Sequence, residues 1–260
     1  MSRKTRLEMV PFDIFSTFNL VSFPFCDDFF TFFPCSVSAF HAIGFCIQLI
    51  SEVVAMEHTE NQIILRGSLQ ELPQFSHENH RRRFYRFTLC VPRLSGTEDL
   101  LPVIAEEQIL NTIDLSGGSM LRVEGQIRTH NVREDGVRRL LIFVFATSIT
   151  AEEGDYINDV LLQGPLCRNA VYRHTPLGRE ICDVMLAVPR AFHRADYLPC
   201  ILWGRIAQQA AVCRTGDVLR ITGRLQSRIY TKLTEDGREQ RTAYEISALC
   251  AEVLSTKEED

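Results

Sequence analysis

The sequence has no Cys-x-x-Cys pair, no glycine-rich phosphate loop, no dinucleotide fingerprint and no Ser-His-Asp order. Nothing therefore signals a zinc site or a nucleotide-dependent reaction, and we expect neither catalysis nor a cofactor nor a bound metal. Nine cysteines are present, an odd number that outlines no disulfide framework. Cys90, Cys182 and Cys200 stand inside apolar runs, where a thiol behaves as a small buried hydrophobe. This usage fits a reducing, cytoplasmic setting. His77 and His80 have no cysteine at ligand spacing and read as surface histidines. Glu235-Asp236 precede Gly237 and read as a hairpin turn rather than an acid/base pair. The net charge of −5 over 260 residues argues against a uniformly basic coat.

The charge is uneven along the chain. Residues 155–254 hold 13 Arg and Lys against 11 Asp and Glu, whereas residues 56–154 hold 11 against 14. Residues 1–55 are different again. Eleven of the 17 phenylalanines fall there, and Phe29 to Ser51 contains no charged side chain. Behind Arg3, Lys4 and Arg6 such a run could be an export signal or a membrane anchor, or a domain of its own. Pro34, Gly44 and scattered Ser and Thr break it, and no small-x-small cleavage site closes it. Our expectation is a non-domain extension, translated from upstream DNA, with the natural start at Met56. Ser51-Glu52-Val53 can be encoded by a purine-rich stretch suited to a bacterial ribosome-binding site.

From Met56 onward the chain repeats itself. Ile64-Leu65-Arg66-Gly67 matches Leu161-Leu162-Gln163-Gly164 at an offset of 97, and Leu89-Cys90-Val91-Pro92-Arg93 matches Leu186-Ala187-Val188-Pro189-Arg190 at the same offset. Leu121-Arg122-Val123-Glu124-Gly125 matches Leu219-Arg220-Ile221-Thr222-Gly223 at 98. A period near 100 residues is one small domain, duplicated. Alternation in the second copy predicts strands near 158–167, 179–190, 197–203, 217–230 and 240–253, with a short helix over Ile206–Val212. The first copy predicts its helix near Glu106–Asn111. Gly164 and Gly223 in mid-strand suit the sharp bends of a small closed sheet.

One strand carries a distinctive face. Arg220, Thr222, Arg224, Gln226, Arg228 and Tyr230 alternate with Leu219, Ile221, Gly223, Leu225 and Ser227. Such an arginine stripe can follow a phosphate backbone, while Trp203, Tyr197 and Tyr230 offer flat faces to unstacked bases. The plainer alternative is a solvated strand beside ordinary core aromatics.

Asn158 to about Leu254 resembles the bacterial single-stranded DNA-binding protein family. The likeness rests on an ordered set: Asn158-Asp159-Val160-Leu161-Leu162-Gln163-Gly164-Pro165-Leu166, Tyr172-Arg173-His174-Thr175-Pro176-Leu177-Gly178, Leu186-Ala187-Val188-Pro189-Arg190, Trp203-Gly204, and Gly216-Asp217 leading to Gly223-Arg224-Leu225-Gln226-Ser227-Arg228. Five strands with one short helix between strands 3 and 4 is the order of the five-stranded OB-fold barrel, so the repeat predicts an all-β fold of two tandem barrels. The resemblance implies base stacking by Phe192, Tyr197, Trp203 and Tyr230; the charges of Arg190, Arg205, Arg220, Arg224 and Arg228 suit them to phosphate contacts. Four barrels per assembly in the family would make this chain a homodimer.

The expected domains are 56–151, a divergent barrel, and 156–254, a single-stranded DNA-binding barrel, followed by a short acidic tail at 255–260. Carried back by the repeat, the four aromatic positions become Ser95, Leu100, Glu106 and Val132, none aromatic. Arg81-Arg82-Arg83-Phe84-Tyr85-Arg86 could be a second nucleic-acid contact or a solvated turn. The expected function is binding of single-stranded DNA with little sequence preference in replication, repair or recombination, in the cytoplasm with the nucleoid. Binding of single-stranded RNA and a protein-interaction scaffold without DNA remain alternatives. The family's usual tail tip, which recruits replication and repair proteins, has no match at Ser255-Thr256-Lys257-Glu258-Glu259-Asp260.

Overall fold

A computed structural model describes residues 61–134, 137–234 and 237–256. The expectations for residues 1–55, Met56 and most of the acidic tail lie outside the described residues. The described residues are mostly strand with little helix, in the all-β class that the alternation implies. Its first half runs β1 (Asn61–Leu69), β2 (Gln74–Asn79), β3 (Arg82–Pro92), β4 (Glu98–Glu106), a single turn of helix α1 (Glu107–Leu110), β5 (Met120–Glu134) and β6 (Val137–Ala151). The second half repeats the order as β7 (Ile157–Pro165), β8 (Val171–His174), β9 (Glu180–Arg190), β10 (Arg194–Trp203), α2 (Gly204–Ala210), β11 (Val218–Thr234) and β12 (Gly237–Ser255). Among the described residues no helix is long and apolar enough to cross a membrane.

Pairing closes each half on itself. β1 joins β5, β5 joins β6, β6 runs parallel to β4, β4 joins β3, and the end of β1 returns to β3 through Ser68↔Cys90 and Leu69↔Leu89. The second half follows the same circuit, with the bridge Leu166↔Leu186 bringing the chain after β7 back to β9. Closure puts alternate side chains inside, so Leu65, Phe87, Leu101 and Val123 of the first half and Leu162, Leu186, Leu198 and Leu219 of the second are buried in the core. Each such side chain contributes about 1.5–3 kcal/mol by leaving water. Small glycines make the tight curvature possible. A Cβ on Gly164 would stand 2.5 Å from the Ala187 carbonyl oxygen, and one on Gly223 would stand 2.3 Å from that of Ser247.

The halves join along a seam of unusual symmetry. β1 and β7 pair antiparallel from Asn61↔Leu162 to Arg66↔Ile157, and the pair Ile63↔Val160 joins residues that are equivalent in the repeat. Two buried carboxylates clamp this seam from opposite sides. Asp99 accepts two hydrogen bonds from Arg93 (2.8 and 2.6 Å) and others from the Ser227 amide (2.7 Å) and hydroxyl (3.1 Å) of the other half. Asp196 accepts from the Thr129 amide (2.7 Å) and hydroxyl (3.1 Å) in the reciprocal arrangement.

The sequence expectations stop short in two places. β11 and β12 run on to Thr234 and from Gly237, because their outer portions form a two-stranded ribbon that buries too little to alternate in hydrophobicity. β8 was not expected as a strand; its four residues pair only with β9 at the sheet edge.

Candidate nucleic-acid interface

The outer face of the second half carries a groove of about 670 Å³. Trp203 ends β10 on its wall, about one-third exposed, with its indole N–H donating to the Ser247 hydroxyl at 3.2 Å. This bond holds the edge of the ring against β12 and leaves a flat surface facing solvent. Arg224 and Arg228 line the same groove from β11, as alternation on that strand dictates. Arg173 from β8, Arg179 from the β8–β9 turn and Arg93 from the first half complete its cationic lining.

Five guanidinium groups thus face two carboxylates, Asp183 and Glu245. Arg173 is held by Asp183 at 2.5 Å, which raises the Arg173 pKa further above its ordinary value. Arg228 lies 3.7 Å from Glu245 and 5.7 Å from the centroid of the Tyr230 ring. Glu245 is buried and accepts from the Gln226 amide at 3.0 Å. Arg224 is half-buried and has no ion-pair partner among the described residues. The balance is an open, net-positive channel with one large aromatic wall, able to hold a polyanion that also presents flat rings.

The expected site residues do not all meet in this groove. Trp203, Arg224 and Arg228 line it. Tyr230 lies just beyond Arg228 on the ribbon, 38% exposed. Tyr197 shares the outward face of β10 with Trp203 but sits six residues away, roughly 20 Å along a strand. Phe192 is almost fully exposed in the β9–β10 turn, where its φ of 63° holds the chain in a left-handed conformation. Arg205 is exposed on α2. Arg220 lies outside the groove lining, bonded to Gln163 at 2.9 and 3.1 Å and 3.7 Å from Glu252. Arg190 belongs to the seam, 3.3 Å from Asp196.

Arg93, Arg173 and Arg179 were missed. Tyr172-Arg173-His174-Thr175 carries part of the family likeness but gives no sign of a strand whose edge turns over the groove. The Arg93 position was visible as the repeat equivalent of Arg190. What the one-dimensional pattern concealed is that the arginine just after β3 reaches the groove of the other half.

The first half closes the corresponding surface. Glu106, equivalent to Trp203, binds Arg82 at 2.8 Å. Glu107 accepts from Arg83 at 2.8 Å and from the Tyr85 hydroxyl at 2.9 Å, a bond that raises the Tyr85 pKa. Arg83 also lies over the Phe75 and Tyr85 rings, and His77 stacks on Phe84 at 4.9 Å, with Phe145 beyond it at 6.0 Å. The Arg81–Arg86 hairpin is therefore engaged chiefly with its own half through Arg82 and Arg83.

The second half matches the model of the Single-strand binding protein family over residues 157–254. Single-stranded DNA-binding protein B of Bacillus subtilis is 36% identical over 80 residues, which cover 28% of this chain and 71% of that protein. Single-stranded DNA-binding protein 1 of Lactococcus lactis is 37% identical over 81 residues, covering 28% of this chain and 54% of its relative. The chain thus spans between about half and 71% of the length of these two relatives. In fold it is similar to the wild-type single-stranded DNA binding protein of Thermus aquaticus, with a TM-score of 0.63 at 24% identity, over 77% of this chain and 95% of that one.

Proposed function

We propose, from the premise that this chain belongs to the single-strand binding protein family, that it binds single-stranded DNA in replication, repair or recombination. The observation that carries this reading is the groove of the second half, where Trp203 stands beside Arg224 and Arg228. A base laid on the indole gains about 1–3 kcal/mol of stacking. Its flanking phosphates meet guanidinium groups and release counterions. Neither contact reads base identity, so sequence preference is slight. No chemical step is needed, and the protein acts as a binder rather than an enzyme.

The two closed halves, each with a short helix between its third and fourth long strands, fit two tandem five-stranded OB-fold barrels over 56–151 and 156–254. The second barrel is the principal DNA surface, with Phe192, Tyr197, Trp203 and Tyr230 as stacking residues and Arg205, Arg224 and Arg228 as phosphate contacts. Two copies of the chain assemble as a homodimer in the cytoplasm, with the nucleoid.

Trp203 is the sole tryptophan, which makes the test direct. Titration of the full chain with oligo-dT at two salt concentrations should quench its fluorescence, less effectively at the higher salt. An unchanged signal together with an unshifted strand in a mobility assay would rule the reading out.

A further inference from the structure

The two clamps across the seam differ by one charge. At the first, Asp99 serves one guanidinium, Arg93, in a bidentate pair, so the charges cancel. At the second, Asp196 serves two. Arg128 of β5 lies 3.2 Å from its Oδ2 and Arg190 of β9 lies 3.3 Å from its Oδ1. The repeat explains the excess: the position equivalent to Arg128 at the first clamp is Gln226, which is neutral and committed to Glu245.

Asp196 also accepts from the Thr129 amide and hydroxyl, which are neutral, and its single negative charge balances only one of its two arginines. Arg128 also donates to Gln126, a neutral acceptor that adds no charge. The Arg128 pKa lies below its ordinary value, first through burial and next through repulsion by Arg190, partly countered by Asp196. A partly buried site thus holds one uncompensated positive charge at the meeting of the two halves.

The surroundings point to what it would take. The amide of Tyr197 donates to the Thr129 hydroxyl at 3.2 Å, so β10 starts its outward face at this clamp. Tyr197 is 47% exposed and Phe192, in the preceding turn, is 91% exposed. A strand lying along β10 from Trp203 toward Tyr197 arrives where Arg128 and Arg190 share one carboxylate. We propose that Arg128 and Arg190 form a phosphate-binding site across the seam, by which the first half takes hold of a strand stacked on the second. This deepens, and rests on, the reading of the groove as a single-stranded DNA surface. It also gives Arg128, in the half without the aromatic quartet, a role in binding.

Strand length tests it. The full chain is titrated with oligo-dT of about 4 nucleotides, the short end of what one OB fold takes, and of about 30 nucleotides, with Trp203 quenching as the readout. Arg128→Gln is expected to weaken the long strand about fivefold at low salt and to lower its salt slope by about 0.7, the value for one phosphate on a single strand. The short strand and the quenching at saturation should be unchanged. Arg128→Lys, which keeps the charge, should keep the slope. Equal affinity and slope of Arg128→Gln and the parent for the long strand would overturn the inference while leaving the Trp203 groove intact. Equal weakening of both lengths would overturn it too, by assigning the loss to the groove or the fold. Failure of the parent to bind either strand would remove the functional reading itself, and the inference with it.

Discussion

The two halves share a strand order, a helix position and a repeat offset, yet present opposite surfaces. In the second, Trp203 borders an open groove with five arginines. In the first, Glu106 stands at the equivalent position and binds Arg82, while His77, Phe84 and Phe145 stack alongside. A carboxylate inside a cationic hairpin neutralises it locally, and rings that stack on one another offer fewer free faces to a base. The difference teaches that interior and exterior of such a closed sheet vary independently. The alternation that fills the core with Leu65 and Leu162 sets no condition on the outward residues between them.

The seam gives the largest expected effect on this comparison. Asp99→Ala should cost about 3–5 kcal/mol in urea unfolding, because it leaves Arg93 partly buried and unpaired at the join. A smaller loss would mean that the halves are held chiefly by the β1–β7 ladder.

Trp203→Ala comes next, with an expected loss of about 1–3 kcal/mol in affinity for oligo-dT by mobility shift. Replacing Glu106 by Ala should leave that affinity nearly unchanged or raise it slightly, since it releases Arg82. A large loss at Glu106 would break the assignment of binding to the second half.

Arg224→Gln should reduce the salt slope by about 0.7, one phosphate contact on a single strand, and Arg220→Gln by much less, because Arg220 lies away from the groove beside Gln163 and Glu252.

The smallest effect concerns pH. Burial pushes the Cys182 thiol up to about 11, above its unfolded value, so the folded state favours the protonated form. Its contribution to stability is therefore present below the unfolded pKa and is lost as pH rises through about 11. Urea midpoints should fall over that window, and less so in Cys182→Ala.

Much of the fold was legible. Alternation and the 97-residue offset marked the long strands, and mid-strand glycines such as Gly164 marked where curvature brings backbones together. The site was legible in part. Trp203, Arg224 and Arg228 share the groove because one lies on β10 and the others on one face of β11, relations that local periodicity encodes. Arg190 and Arg220 have the same chemistry and the same spacing logic, but their positions depend on which neighbour supplies a partner: Asp196 for one, Gln163 for the other. Such partners come from other strands, and no local pattern names them. Arg93 shows the same limit from the other side, since its place in the groove follows from how β3 ends at the seam.

The pairing of Ile63 with Val160 is that of a twofold contact, written once into a single chain. In an assembly of two identical chains, any change to the outer face appears twice, and a carboxylate that closes one groove closes both. Here the two faces are encoded separately. Glu106 can occupy one while Trp203 keeps the other, and a change at either position alters one surface at a time. The join between the halves is also independent of dilution, since its two sides cannot diffuse apart.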